Sequence, residues 1–375
     1  MTRLTFADIA IVRCLFGSFL LAVQLQGAQL DTWASQSSGT TSNLYSVDYG
    51  GGTFVAVGLA GKLLSSADGV NWTSQTSGII NDLEGVTYAN GLFVAVGANG
   101  AVQTSTNGTA WASQVSGFGS AFHAVTYGNG LYVAVGFGGA IFTSTNGTNW
   151  TQATSPTTNS IQAVIWANGV YVASGVLGTI LTSLDGINWT SRVSGSSNAL
   201  HTLTYGAGTF VVAGFAGDLR TSPDGVTWTS RISGTTNSMR GAIFTNSNFV
   251  VIGFKGTIIS STNGVDWTTR SSGVLDALRG ITYGGDAFVA VGHVGRILKT
   301  VPLLVPTLTN MSYGGNAFHF SFASLSGLTY SIEYKNNLVD PGWALLTTTT
   351  GTGGIIPIND VTATGPMRFY RVGVQ

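Results

Sequence analysis

Hydrophobic and polar residues alternate along most of this chain with the two-residue period of β-strands, in short runs separated by glycine-containing turns. Leu83 to Tyr88 alternates in this way, and Asn90-Gly91 after it is a dipeptide that favours a two-residue hairpin turn. Phe93 to Val96 is then nearly continuous in apolar character, the pattern of a strand buried on both faces. Gly97 and Gly100 bracket the next turn, Val102 to Ser105 reads as a third strand, and Asn107-Gly108 turns the backbone into a fourth strand opened by Trp111.

The same set recurs along the sequence. Trp33, Trp72, Trp111, Trp150, Trp189, Trp228 and Trp267 each stand 39 residues after the last, so one small unit is built repeatedly. Four antiparallel strands in such a unit make one blade of a β-propeller, and the predicted class is all-β. The buried second strand occurs at Phe54, Phe93, Tyr132, Tyr171, Phe210, Phe249 and Phe288, which predicts seven blades. Asp68, Asn107, Asn146, Asp185, Asp224 and Asn263 open the structural turns before the fourth strands, whereas the last copy runs out at Lys299-Thr300. Trp33 to Ser37 has no blade before it. It therefore supplies the outer strand of the last blade and joins the ends of the ring without leaving an open edge.

Ser66-Ala-Asp-Gly-Val-Asn-Trp72 and its copies, such as Ser222-Pro-Asp-Gly-Val-Thr-Trp228, resemble a shortened Asp-box. That motif marks sialidase-like (BNR) propellers and photosystem II stability-factor-like repeats, and the resemblance covers about residues 31–301. The usual box places one residue between Asp and Gly, which are adjacent here. The resemblance implies a propeller of the WD40/YVTN-like kind in which the box is a fold-stabilising turn far from the ligand face.

Composition sharpens this picture. The 53 glycines suit tight turns, and charged residues make up 8% of the sequence against about 25% in an average soluble domain. A net charge of zero argues against nucleic-acid binding by counterion release and gives no reason to expect an anionic membrane partner. Residues 1–28 read as a signal peptide: Arg3 and Arg13, the apolar run Cys14 to Val23, then Gly27-Ala28. The apolar run is shorter than the roughly 20 residues that span a bilayer, although an uncleaved anchor is the alternative. Cys14 is the only cysteine, so a processed protein holds no thiol, disulfide or cysteine metal site. The expected location is secreted, periplasmic or on the cell surface. The propeller spans 31–301 and a proline-flanked linker 302–306 follows. Residues 307–375 alternate again, at Ala317 to Phe322, Thr329 to Tyr334, Trp343 to Thr347, Gly354 to Ile358 and Arg368 to Val374. They read as a small β-sandwich of immunoglobulin or fibronectin type III character. The ending Thr364 to Val372 resembles small C-terminal modules of secreted bacterial proteins.

Candidate function lies where the copies differ. At the start of the first strand, Tyr45, Glu84, His123, Gln162, His201, Arg240 and Arg279 share one repeat position, so they form a ring at the channel mouth. The next position is always small, as crowding near the axis requires. The loops between second and third strands add Leu59, Ala98, Phe137, Val176, Phe215, Phe254 and His293 on the same face. Three exposed phenylalanines, Phe137, Phe215 and Phe254, beside a polar ring suit a protein or sugar surface. The leading reading is therefore a non-enzymatic binding or scaffold protein with a protein or glycan partner, no cofactor and no integral membrane contact. Sialidase-like glycoside hydrolysis is the runner-up. Tyr45, Glu84, Arg240 and Arg279 offer part of its machinery, without a third arginine or an aspartate in the ring. A metal between His123 and His201, with Glu84, lacks a close third ligand, and the Asp/Asn-Gly turns offer too few oxygens for calcium. Arg192, Arg231 and Arg270, which replace Gln36, Gln75 and Gln114, are read as keeping outer strands soluble rather than as a basic binding stripe.

Overall fold

A computed structural model describes residues 11–12, 30, 32–301, 308–314, 317–324, 329–337, 339–363 and 368–374. The expected signal peptide 1–28, apart from Ile11–Val12, and the expected linker 302–306 lie outside the described residues. The protein divides into two compact units, Leu30–Val301 and the remainder. No helix among the described residues is long and apolar enough to cross a membrane.

Each repeat between Leu30 and Val301 folds as a four-stranded antiparallel sheet, and the unit is a β-propeller. In the second copy the strands are Leu83–Ala89, Leu92–Gly97, Ala101–Ser105 and Ala112–Val115, paired in sequence order. Asn90 and Gly91 between the first two have φ of 51° and 76°, the left-handed pair that a hairpin of matching twist needs. Phe93, Val94, Ala95 and Val96 are each at most 1% exposed because neighbouring sheets cover both faces of this strand. Val55 and Val57 of the first sheet pack against Phe93 and Ala95 of the second. Burial of one such side chain stabilises by roughly 1.5–3 kcal/mol, so these second strands hold the sheets face to face.

The ends meet directly. Trp33–Gln36 pairs with Ile297–Thr300 and completes the sheet that begins at Leu278. Trp33 lies 6.3 Å from Phe288, the spacing that also separates Trp72 from Phe54 and Trp111 from Phe93. Between the sheets that begin at Leu278 and Leu44, Thr282 donates to Asp48 at 3.2 Å. A Cβ on Gly284 would fall 2.1 Å from the Tyr49 ring, so only glycine admits that ring. Where two copies replace phenylalanine by tyrosine, the hydroxyl reaches the preceding sheet: Tyr132 donates to the Ala89 carbonyl at 2.7 Å, and Tyr171 donates to that of Gly128.

The turns before the outer strands are closed by side chains. Asp68 Oδ1 accepts the backbone N–H groups of Val70 and Asn71, both at 2.8 Å, and Asn107 does the same for Thr109 and Ala110 at 2.9 Å. Trp72 donates its indole N–H to the Gly69 carbonyl at 3.1 Å, which anchors the ring over the turn. These amide donors hold the Asp68 and Asp185 carboxyls below the ordinary range. The arginines of the outer strands do more than solubilise an edge. Arg192, Arg231 and Arg270 lie back across the sheet and donate Nε to Thr182, Thr221 and Ser260 on the third strand, at 2.8, 2.9 and 2.9 Å. Gln75 and Gln114 make the equivalent bonds to Ser65 and Thr104, so the position braces outer strand to inner.

The second unit has two sheets. One orders Thr309–Gly314, Ala317–Ala323 and Ile355–Asp360; the other orders Ile11–Val12, Phe369–Val374, Thr329–Lys335 and Ala344–Thr350. Phe318, Phe320, Phe322, Tyr330, Ile332, Ile358 and Tyr370 from both sheets form one core. The strand Thr309–Gly314 has no counterpart in the sequence expectation; all six of its residues are exposed, Met311 and Tyr313 included.

Candidate functional site

In every copy the register of the first two strands slips between the first and third residues of the first strand, as between Leu44 and Ser46 or Leu278 and Gly280. The residue at the slip is the one that varies: Tyr45, Glu84, His123, Gln162, His201, Arg240 or Arg279. A β-bulge leaves one residue unpaired and re-aims its side chain, which is how these equivalent strands present seven side chains of five kinds. The following residue must be small; a Cβ on Gly280 would come within 2.8 Å of Ser46 Cα. All seven bulged residues are partly buried.

The ring divides into linked pairs. His123 Nδ1 lies 2.6 Å from Glu84 Oε2. Arg240 Nη1 donates to His201 Nδ1 at 3.3 Å, which makes that nitrogen the acceptor and leaves the proton of the neutral ring on Nε2. Burial, aided by the charges of Arg240 and Arg279, pulls the His201 pKa down to about 3. Arg240 also stacks over the Phe254 ring at 5.1 Å, and Arg279 over the Tyr45 ring at 4.9 Å. Burial and the neighbouring Arg279 lower Arg240 to about 10, and burial lowers Arg279 as well. Desolvation, reinforced by Asp82, raises the Tyr45 phenol. Gln162 makes none of these contacts.

Around this ring stand the turns between second and third strands. They are tied to it by bonds such as Leu59 N–H to the Asn43 carbonyl at 2.9 Å and Phe137 N–H to that of Ala121 at 2.8 Å. Phe137 and Phe215 are 59% and 54% exposed. Phe254 differs from the sequence expectation: it is only partly exposed, because Arg240 covers its face and His293 stands with its ring centroid 6.0 Å away. Leu59 is exposed, whereas Ala98, Val176 and His293 are half-buried. Sequence reading missed the tip residues Leu177 and Val294, 69% and 59% exposed, each with φ of 54°. The left-handed region is costly for bulky and β-branched residues, and other copies place Asn99 or Gly138 there. An apolar residue at that repeat position was the signal. A cleft of about 630 Å³ opens beside Phe118 and Phe137.

The metal idea joined His123 to His201, but the structure gives them separate partners, Glu84 and Arg240. Among the described residues no group of three or more His, Cys, Asp or Glu side chains is placed to hold a metal ion. The turn residues Asp68, Asn107, Asn146, Asp185, Asp224 and Asn263 spend their side-chain oxygens on backbone amides.

No family model matches the sequence, and no curated protein matches it. Solved structures are similar in fold. YCF48 from Cyanidioschyzon merolae aligns with a TM-score of 0.60 and 20% identity, over 72% of this chain and 99% of that one. A structure of YCF48 bound to D1 peptide aligns with a TM-score of 0.61 and 17% identity, over 72% of this chain and 95% of that one. Virginiamycin B lyase from Staphylococcus aureus aligns with a TM-score of 0.62 and 12% identity, over 72% of this chain and 99% of that one. At these identities the shared property is the β-propeller fold itself.

Proposed function

We propose that this protein is a non-enzymatic binding propeller that recognises a protein segment across its channel mouth. The observation that carries the reading is the apolar rim of Phe137, Leu177, Phe215 and Val294 around a polar, chemically varied ring. Exposed aromatic and aliphatic groups next to hydrogen-bonding groups are what a protein partner uses as anchors. The strained left-handed backbone under Leu177 and Val294 supports selection for presenting those side chains. The likeness to YCF48, seen bound to D1 peptide, supports a peptide rather than a glycan as ligand. The reading includes seven blades, Asp-box-like turns, export by the N-terminal signal, and an immunoglobulin- or fibronectin-like C-terminal module acting as spacer or cap.

Glycoside hydrolysis on the same face is the second reading. It draws on the 2.6 Å Glu84–His123 contact and on the charge of Glu84 acting on Tyr45 and Arg279. Against it, Glu84 is the single carboxylate of the ring: a sialidase-like route that uses Tyr45 as nucleophile with Glu84 as its partner still needs a separate acid, and the ring offers no second carboxyl for it. One experiment separates the two: the mature protein is screened on a random peptide array, a glycan array and a panel of aryl glycosides. Peptide binding lost in Phe137→Ser/Phe215→Ser and no glycoside turnover are expected. Glycan binding alone, or turnover abolished by Glu84→Gln, overturns the proposal.

A further inference from the structure

We infer that Arg240 and Arg279 form a clamp for a carboxylate, so that the segment bound at the mouth is anchored by an anionic group placed between sheets six and seven. The inference rests on the protein-binding reading and names its chemistry. The two residues occupy the same bulge position in adjacent sheets, and both charges act on His201 and on His293. Two partly buried like charges at one place repel, and among the described residues neither is in an ion pair.

How they are held is the decisive point. Each guanidinium lies over an aromatic face, Arg240 on Phe254 and Arg279 on Tyr45. Stacking uses the flat face of the group and leaves its in-plane N–H donors unspent. Arg240 commits only Nη1, to His201, while its Nε is buried and has no hydrogen-bond partner. No hydrogen bond among the described residues engages the guanidinium of Arg279. A buried donor left unmade costs free energy, most of all on a charged group, and that is the position of Arg240 Nε. An ionised carboxylate answers both defects, because it accepts from guanidinium edges bidentately and neutralises the paired charge. Neutral His201 and His293 flank the pair without competing for an anion, and Glu84 is tied to His123 on the opposite flank of Tyr45.

The carboxylate has two possible sources, the C-terminus of a partner polypeptide or an Asp/Glu side group within it, and the experiment distinguishes them. The probes are N-acetyl-phenylalanine, its C-terminal amide, and N-acetyl-aspartyl-phenylalaninamide, titrated while the arginine Nε–H resonances are followed by NMR. The expected result is a saturable shift of the Arg240 resonance with one or both acids, none with the neutral amide, and loss of binding by at least tenfold in Arg240→Gln/Arg279→Gln. Response to N-acetyl-phenylalanine alone assigns a C-terminal carboxylate; response to the aspartyl amide assigns a side group. Equal response to the neutral amide, or no response to either acid, overturns the inference. Peptide-array binding that survives the double Gln substitution also overturns it, yet leaves the protein-binding reading standing. Thermal unfolding of the double variant confirms that it is folded; its midpoint is expected at or above that of the parent, since a repulsive pair is removed.

Discussion

Acidification should weaken the propeller through His201. Its folded-state pKa is about 3, against 6.5 for the free side chain, chiefly because burial disfavours the imidazolium. A depressed histidine pKa means that the unfolded state takes up a proton the folded state refuses. Stability is therefore intact above 6.5 and declines as pH falls through that value, levelling off only near 3. Each unit below 6.5 costs up to about 1.4 kcal/mol, so a change from about pH 7.5 to about pH 5 costs roughly 1–2 kcal/mol. For a unit of this size that is a drop in Tm of about 2–8 °C. Asp48 works in the opposite direction: burial raises its carboxyl from 3.8 to about 6, so folding favours its protonated form and gains about 1 kcal/mol over the same interval. The wild-type curve alone is thus a mixture of these two and of His293, whose pKa burial also lowers. His201→Gln isolates the histidine, since a glutamine oxygen still accepts from Arg240 but does not titrate. Calorimetric Tm values of both proteins at the two pH values should show wild type losing more than the variant by the amount above. Parallel pH dependences would refute the assignment of a buried, neutral His201.

Three further outcomes are expected. Val294→Asn, which puts at the tip the residue type found in the same left-handed position at Asn99, should raise stability by about 1 kcal/mol and weaken array binding; an unchanged Tm would mean the backbone there is unstrained. Asp68→Ala should cost about 1 kcal/mol by urea unfolding, because two amides lose their acceptor, while Asp68→Asn should be nearly silent, as the asparagines of three other turns imply; equal losses would show that charge rather than the acceptor matters. Trp33→Ala should cost about 2–4 kcal/mol by removing the contact with Phe288 and the bond from its indole to the Leu30 carbonyl, comparable to Trp111→Ala in an interior sheet; a silent Trp33 variant would show that the last sheet does not depend on its N-terminal strand.

Much of this was legible in the residues for one reason: a strict period aligns equivalent positions without any structure. Strand order, the buried second strand and the pairing of Trp33 with the last copy follow from that alignment alone. The positions of Tyr45, Glu84, His123, Gln162, His201, Arg240 and Arg279 were legible because variation at a fixed repeat position stands out against uniform neighbours. Their bulge was not, since it is a slip in backbone pairing whose only trace is the small residue that follows. Pairings within the ring were also hidden: no spacing rule says that Arg240 turns towards Phe254 and His201 while His123 turns towards Glu84. The outer-strand arginines looked like solvated charges because their partners, Thr182, Thr221 and Ser260, are common hydroxyls on a different strand.

The seam at which Trp33 meets Thr300 has a mechanical consequence. Partners run Trp33–Thr300, Ala34–Lys299, Ser35–Leu298 and Gln36–Ile297, so the backbone enters and leaves this strand pair at the same end. Tension applied at residues 33 and 300 loads the outermost rung first and peels the pair one rung at a time, the weakest direction in which hydrogen-bonded strands can be pulled. The same seam is the last to be fastened during synthesis, since the earliest strand must wait for the latest. A pulling device attached at those two residues should therefore release the N-terminal strand at low force, before any interior sheet yields.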